Sequence, residues 1–262
     1  MNSLEFESFI KPLVSDYFPL APRIAANRVF VERITPEIFK TGFLNRFWTW
    51  QLIENIADHL PFEEIRTILD VGSRDALQSI EFARIFPQAK IYAFEPTRAQ
   101  YKLCKKNAKG YPQIEIIERA CSNVTGKVQF FEVKRGNVGA SSLLEVNDHP
   151  RSSEWRQKRT IVKCVRIDEW AKLNSIQSID ILWVDVQGAE KLVFEGVGRE
   201  LLSSVKAIAT EVEREHLYNG SILFAELNEF LESNNFKIMN AYRHGDDRTE
   251  ADVVYLNRKY IE

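Results

Sequence analysis

The spacing of apolar positions changes near residue 65. Upstream, apolar residues fall at helical intervals, interrupted by Pro12, Pro19, Pro22, Pro36 and Pro61. The clearest stretch is FLNRFWTWQLIENIADHL, in which Phe43, Phe47, Trp50 and Ile53 recur at i, i+4, i+7 and i+10, the spacing of one helix face. Residues 1–64 therefore read as a helical extension or cap with no visible chemistry of its own, and 65–262 as the main domain.

Downstream, short β-branched runs alternate with helical patterns. Strands are predicted at 66–71, 90–95, 114–119, 179–186, 205–212, 236–242 and 251–257, with helical spacing at 75–86, 98–108, 188–197 and 224–235. Several runs are apolar nearly throughout, as parallel strands covered on both faces are. This rhythm predicts a doubly wound α/β sheet. Two features depart from a simple repeat. The last two strands are separated only by RHGDDRTE, too short for a crossover helix, so they must pair antiparallel. The interval 120–178 is too long for one crossover and holds two β-like pieces, KVQFFEV and TIVKCVRI, around a polar loop. Loops of that length are commonly functional or without fixed structure. Segment 134–153, which carries His149, reads as a lid or acceptor-binding element.

Composition narrows the class. With 262 residues and 45% hydrophobic content, the chain can bury a substantial core. A net charge of -2, with both signs interspersed, leaves no basic face for nucleic acid. Cys104, Cys121 and Cys164 are odd in number and far apart, as free thiols of a reducing compartment are. The N-terminus lacks a signal-peptide pattern, and no apolar run approaches the ~18 residues of a membrane span. A cytoplasmic protein without a membrane span is expected; a homodimer is left open.

Candidate chemistry clusters at strand ends. In ILDVGSRDALQS, the strand runs into Gly72 and a helix follows, the layout of a nucleotide-binding turn. A dinucleotide turn needs further glycines so that bare amides reach a pyrophosphate, and Arg74 and Leu77 stand there instead. Asp70 and Asp75 would oppose a diphosphate but suit a cationic ligand such as S-adenosylmethionine; Asp75 also reads as a helix-capping side chain. In YAFEP, Glu95 ends the next strand before Pro96, 23 residues after Gly72, where a carboxylate meets ribose hydroxyls. IDILWVDVQGAE delivers Asp185 to a strand end, with Gly188 turning into a helix and Glu190 in its first turn. ATEVEREH places Glu211 and Glu213 on one strand face with His216 beyond, which supplies bases for a bound hydroxyl. Asp185, Glu211 and His216 do not have a diagnostic metal-ligand spacing, and no metal is expected.

Across roughly 66–257 the chain resembles the FkbM-type S-adenosylmethionine (SAM)-dependent methyltransferases. The resemblance lies in LDVGSRD, YAFEP, RACSN, SSL at 141–143, VRIDEW, IDILWVDVQGAE and ATEVE, in that order. It implies a class I, Rossmann-like sheet of seven mostly parallel strands closed by the antiparallel hairpin. It also implies Asp70, Gly72 and Ser73 around the methionine part of SAM, and Glu95 on the ribose. Ala120 and Cys121 would lie by the adenine, and Asp185 near the methyl group and acceptor. Characterised members methylate hydroxyl oxygens of sugars or polyketide-like natural products, so a small-molecule or glycan hydroxyl acceptor is implied. Two positions depart from the family pattern: Arg74-Asp75-Ala76 replaces small residues, and Trp183 replaces a frequent lysine. The readings competing with an O-methyltransferase are an NAD(P)-dependent oxidoreductase and a methyltransferase-like binding protein without catalysis. Glu211, Asp185 and His216, in that order, are the candidate bases.

Overall fold

A computed structural model of the chain describes residues 49–243 and 249–261. In chain order, α1 (Thr49–Ile56) leads to β1 (Thr67–Val71), α2 (Leu77–Ile85), β2 (Lys90–Phe94), α3 (Arg98–Asn107) and β3 (Ile114–Ile117). A short β4 (Ala120–Cys121) and a long hairpin, β5 (Gly126–Arg135) and β6 (Arg156–Val165), come next. The chain continues through α4 (Ile167–Leu173), β7 (Ile181–Val184), α5 (Glu190–Val197), α6 (Arg199–Leu202) and β8 (Ala207–Glu213). It closes with α7 (Phe224–Ser233), β9 (Phe236–Arg243) and β10 (Glu250–Asn257).

Seven strands form one sheet in the order β3-β2-β1-β7-β8-β10-β9. All run parallel except β10, which is antiparallel to both β8 and β9. This is the class I methyltransferase arrangement. The expected strands are all present, with ends shifted by no more than two residues. β5 and β6 do not join this sheet. With β4 they make a separate three-stranded sheet in the order β4-β6-β5, so the long interval is a second layer rather than a bare loop.

Alternation along the strands divides the core in two. Leu69, Val71, Phe94, Leu182, Val184 and Ile208 face α4, α5 and α7, whose Trp170, Phe194 and Leu231 complete one layer. Ile68, Ile91, Ile181 and Trp183 face the other way, onto Phe82 and Phe86 beside α2 and onto Leu52, Ile53 and Ile56 of α1. The described end of the N-terminal extension is thus part of the domain core. Thr49 Oγ1 also donates to Glu81 at 2.6 Å, and Asn55 Nδ2 donates to Tyr242 Oη at 2.7 Å. Phe43 and Phe47 of the expected helix lie outside the described residues, as does most of the β9–β10 connection.

Trp183, expected from the sequence to sit on the substrate side or in the core, is a core residue. It is buried and meets Phe82 edge-on, with ring centroids 5.8 Å apart. Trp183→Ala is expected to cost about 3–5 kcal/mol of stability, as large aromatic truncations do. Chemical denaturation measures this directly, and a loss below about 1 kcal/mol would remove Trp183 from the core.

The strand order reverses about β1, with β2 on one side and β7 on the other. Ligands of open α/β sheets bind outside the carboxyl ends of the strands at such a switch point. The turns after β1, β2 and β7 carry Gly72, Glu95 and Asp185 to that edge.

Candidate active site

The turn after β1 is held from within. Asp70, 1% exposed, accepts hydrogen bonds from Ser73 Oγ at 2.7 Å and from Ser79 Oγ. Burial pushes its carboxyl up to about 6. Gly72 N and Ser73 N both donate to Phe94 O, at 3.1 and 3.0 Å. Asp75 N and Ala76 N donate to Ser73 O, and Asp75 Oδ1 accepts from Leu77 N at 3.1 Å. Asp75 is therefore engaged by the first amide of α2, one residue ahead of the N-cap Ala76. The loop amides needed to cradle a pyrophosphate already have partners within the chain, which argues against a dinucleotide.

Gly72 answers a different demand from the one expected of it. Its φ is +92°, and a Cβ there would stand 1.8 Å from Asp185 O. The glycine lets the β1 turn lie against the backbone leaving β7. Asp185 N donates to Val71 O at 2.9 Å across the same junction.

A cleft partly open to solvent lies along this edge, at the switch point where open α/β sheets bind ligands. Following the sheet, Arg119, Ala120 and Cys121 line it beyond β3, Glu95 and Pro96 after β2, Gly72 and Arg74 after β1, and Asp185 after β7. Phe130 of β5 and Leu143 supply apolar wall from the second layer. Ala120 and Cys121 are buried there, and all three cysteines are free and buried. Burial raises the Cys121 thiol well above its usual range.

Glu95 is 6% exposed. Its Oε1 accepts from Thr97 N at 2.7 Å and Thr97 Oγ1 at 2.6 Å, and the Arg74 amide is directed at the same carboxyl. Burial outweighs these bonds and lifts it to about 7.

Behind Asp185 lie further acids. Gln187 Nε2 donates to Asp185 Oδ1 at 2.9 Å and to Glu211 Oε2, so a single amide joins the two carboxyls. Gln187 Oε1 accepts from Tyr218 Oη at 3.1 Å, and the same hydroxyl donates to Ala140 O at 3.0 Å. Burial first, and then the charge of Asp185, push Glu211 well above the usual carboxylate range. Glu190 turns inward and accepts from Val186 N at 3.2 Å and Gly188 N at 3.3 Å; burial lifts it to about 8. Glu213 accepts from Ser221 Oγ at 2.6 Å and Leu217 N at 3.0 Å. His216 Nδ1 sits 3.1 Å from Ser221 Oγ, and neither His216 nor Glu211 lines the cleft.

The 134–153 segment is ordered across this edge. Ser142 pairs with Phe131, and Ser142 Oγ donates to Val186 O at 3.2 Å. Asn147 N donates to Leu217 O at 2.8 Å, and His149 Nε2 lies 3.3 Å from Glu215 Oε2. Val138, Gly139, Ser141 and Leu143 thereby reach the cleft.

The model of the FkbM methyltransferase domain matches residues 70–238, more than half of the chain and every turn just described. The chain belongs to the FkbM methyltransferase family. The 2-O-methyltransferase NoeI of Sinorhizobium fredii is 29% identical over 200 residues, covering 73% of this chain and 79% of NoeI. Methyltransferase 1 of Beauveria bassiana is 22% identical, covering 71% and 78%. Among solved structures, Methanococcus jannaschii fibrillarin is similar at 13% identity over 76% of this chain and 69% of that one, with a TM-score of 0.48, too low to bear on function.

The methyl donor of this FkbM methyltransferase is SAM, and the lining fits it. Carboxylates at Glu95 and Asp185 suit a ribose diol and a sulfonium cation, and apolar wall suits a base, while the described amides of the β1 turn are taken up within the chain. Gln187, Tyr218, Phe130 and Arg119 were not singled out from sequence. Gln187 stands inside the DVQGAE turn, but the two acids it joins, Asp185 and Glu211, are distant from one another in sequence.

Glu95→Gln is expected to weaken S-adenosylhomocysteine (SAH) binding about 10- to 100-fold, because an amide replaces a charge-assisted acceptor. If the ionised carboxyl receives the ribose hydroxyls, affinity should rise as pH climbs toward about 7 and level above it. The folding linkage has the same origin. The folded state keeps a proton that the unfolded chain releases from about 4.5, so this group lowers stability as pH rises through that window. Calorimetric titration across pH checks both, and unchanged affinity in Glu95→Gln would exclude the ribose role.

Proposed function

We propose that this methyltransferase transfers the methyl group of SAM to a hydroxyl oxygen, on a sugar or a hydroxylated natural product. The observation that carries the reading is Asp185, which lines the cleft at the β1–β7 switch point with Glu211 behind it on a shared amide. An alcohol is a poor nucleophile unless its proton is taken during transfer, and a carboxylate facing the acceptor performs that step. NoeI, by its name a 2-O-methyltransferase, supports the same acceptor atom.

When bound, SAM supplies an electrophilic methyl carbon on sulfur. The chain aligns the acceptor with it and removes the proton. Glu95 holds the ribose, while Ala120 and Cys121 flank the adenine. Asp70 and Ser73 keep the β1 turn in shape beside the methionine portion. Asp185 receives the acceptor proton, and Gln187 fixes the orientation of its carboxyl. Glu211, pushed toward its neutral form by burial and then by the Asp185 charge, supports that charge rather than competing for the proton. Alignment alone contributes several kcal/mol to such a displacement.

Among the described residues, no helix is long and apolar enough to cross a membrane. SAH release is measured against a panel of glycosides, oligosaccharides and hydroxylated lactones, and the product is located by mass spectrometry. A methyl ether supports the reading. Methylation confined to nitrogen or carbon would overturn it, and SAM binding without SAH from any acceptor would favour the non-catalytic binding protein.

A further inference from the structure

The cleft that receives SAM is acidic where the cofactor is cationic, yet the methionine tail also carries a carboxylate. Among the described residues, two cations line the cleft, Arg119 after β3 and Arg74 after β1. The sheet order separates them: β3 and β2 lie on one side of β1, and β7 lies on the other. With the ribose on Glu95 and the base beside Ala120 and Cys121, the 5′ substituent extends past Gly72 toward Asp185. Arg74 stands on that path and Arg119 does not.

The local geometry keeps Arg74 available for a ligand. Its backbone is left-handed, with φ +51°, in a turn whose amides are already bonded internally. Its side chain is half exposed, and Nη2 meets Asp75 Oδ2 at 3.4 Å, long for a charge-assisted bond. Asp75 is meanwhile committed to the Leu77 amide through its other oxygen. The guanidinium lies over Gly139 of the 134–153 segment, where a Cβ would come within 3.2 Å of Nη1. A larger residue at 139 would occupy the space into which the guanidinium reaches.

We infer that Arg74 is the specificity-determining partner of the cofactor's carboxylate, clamping the methionine tail between the β1 turn and the turn at Gly139. The inference rests on the SAM reading of the cleft and deepens it. A planar, permanently charged guanidinium offers two parallel N–H donors, matching a carboxylate.

The test compares calorimetric affinities for SAH and for its decarboxylated analogue, 5′-deoxy-5′-(3-aminopropylthio)adenosine, which keeps the ammonium and loses only the carboxylate. The wild-type chain should prefer SAH by about 10- to 100-fold. Arg74→Met should reduce the preference to within about threefold while leaving affinity for the analogue nearly unchanged. Arg74→Asn, which tolerates the left-handed backbone, should do the same. Retained binding of the analogue also reports that each variant is folded. The inference is overturned if Arg74→Met and Arg74→Asn keep the preference, or if Arg119→Met abolishes it instead. Failure of the wild-type chain to bind either ligand would reject the cofactor assignment itself, a result distinct from binding without discrimination.

Discussion

Asp185→Asn is expected to lower the rate of SAH formation about 10²–10⁴-fold, the range for loss of a general base, with SAH affinity changed less than about threefold. Asparagine keeps the size of the side chain and can still accept the Gln187 amide, which now sits 2.9 Å from Asp185 Oδ1. It cannot take a proton. Because the substitution leaves Glu95 and the cleft walls in place, binding and turnover should separate cleanly. Glu211→Gln is the informative comparison. Glu211 sits behind Asp185 and is pushed toward its neutral form, so its amide should cost less than about tenfold. His216→Ala, bonded to Ser221 away from the cleft, should cost less again. If Glu211→Gln fell as far as predicted for Asp185→Asn while Asp185→Asn stayed active, the base would be Glu211. The measurement is single-turnover SAH release with the acceptor identified by the panel, alongside calorimetric SAH binding.

Gly72→Ala should abolish the site by a different route. The added carbon would lie 1.8 Å from Asp185 O and 2.8 Å from its carbonyl carbon, at a φ of +92° that side chains rarely adopt. Relief requires moving one backbone from another, and neither can slip. Asp70 and Val71 are in register with Trp183 and Val184, and Asp185 N is bonded to Val71 O. A cost above about 4 kcal/mol is expected, at the far end of single substitutions. At about 2–4 °C per kcal/mol for a chain of this size, Tm should fall by roughly 10 °C or more. Gly110→Ala is the control, since a Cβ there meets nothing within 4 Å; its Tm should move by less than about 2 °C. Equal behaviour of the two variants in a thermal melt would refute the backbone contact.

These expectations differ in how far they could be read from the chain. Strand periodicity, the short RHGDDRTE connection and three strand-end acids were enough to place a seven-stranded sheet and its binding edge. Those signals are local: burial on both faces of a strand selects apolar runs, and a crossover helix needs a minimum length. The second layer was read only as β-like pieces, because its pairing of β4 with β6 joins segments more than forty residues apart. The glycine at 72 was legible as a turn residue, but its reason was not, since the clash that demands it comes from Asp185, over a hundred residues away.

The candidate site divides the same way. Sequence by itself determined which residue types reach the edge: a carboxylate after β2, another after β7, acids along β8. Tertiary structure alone decided that Asp185 fronts the cleft, that Glu211 stands behind it on the Gln187 amide, that Asp75 takes the first amide of α2, and that Trp183 is core. A strand dictates the direction of a side chain from its own period of two. Whether that side chain then meets water, a ligand or another acid depends on which distant segment folds against it, and one chain read alone does not encode that contact locally.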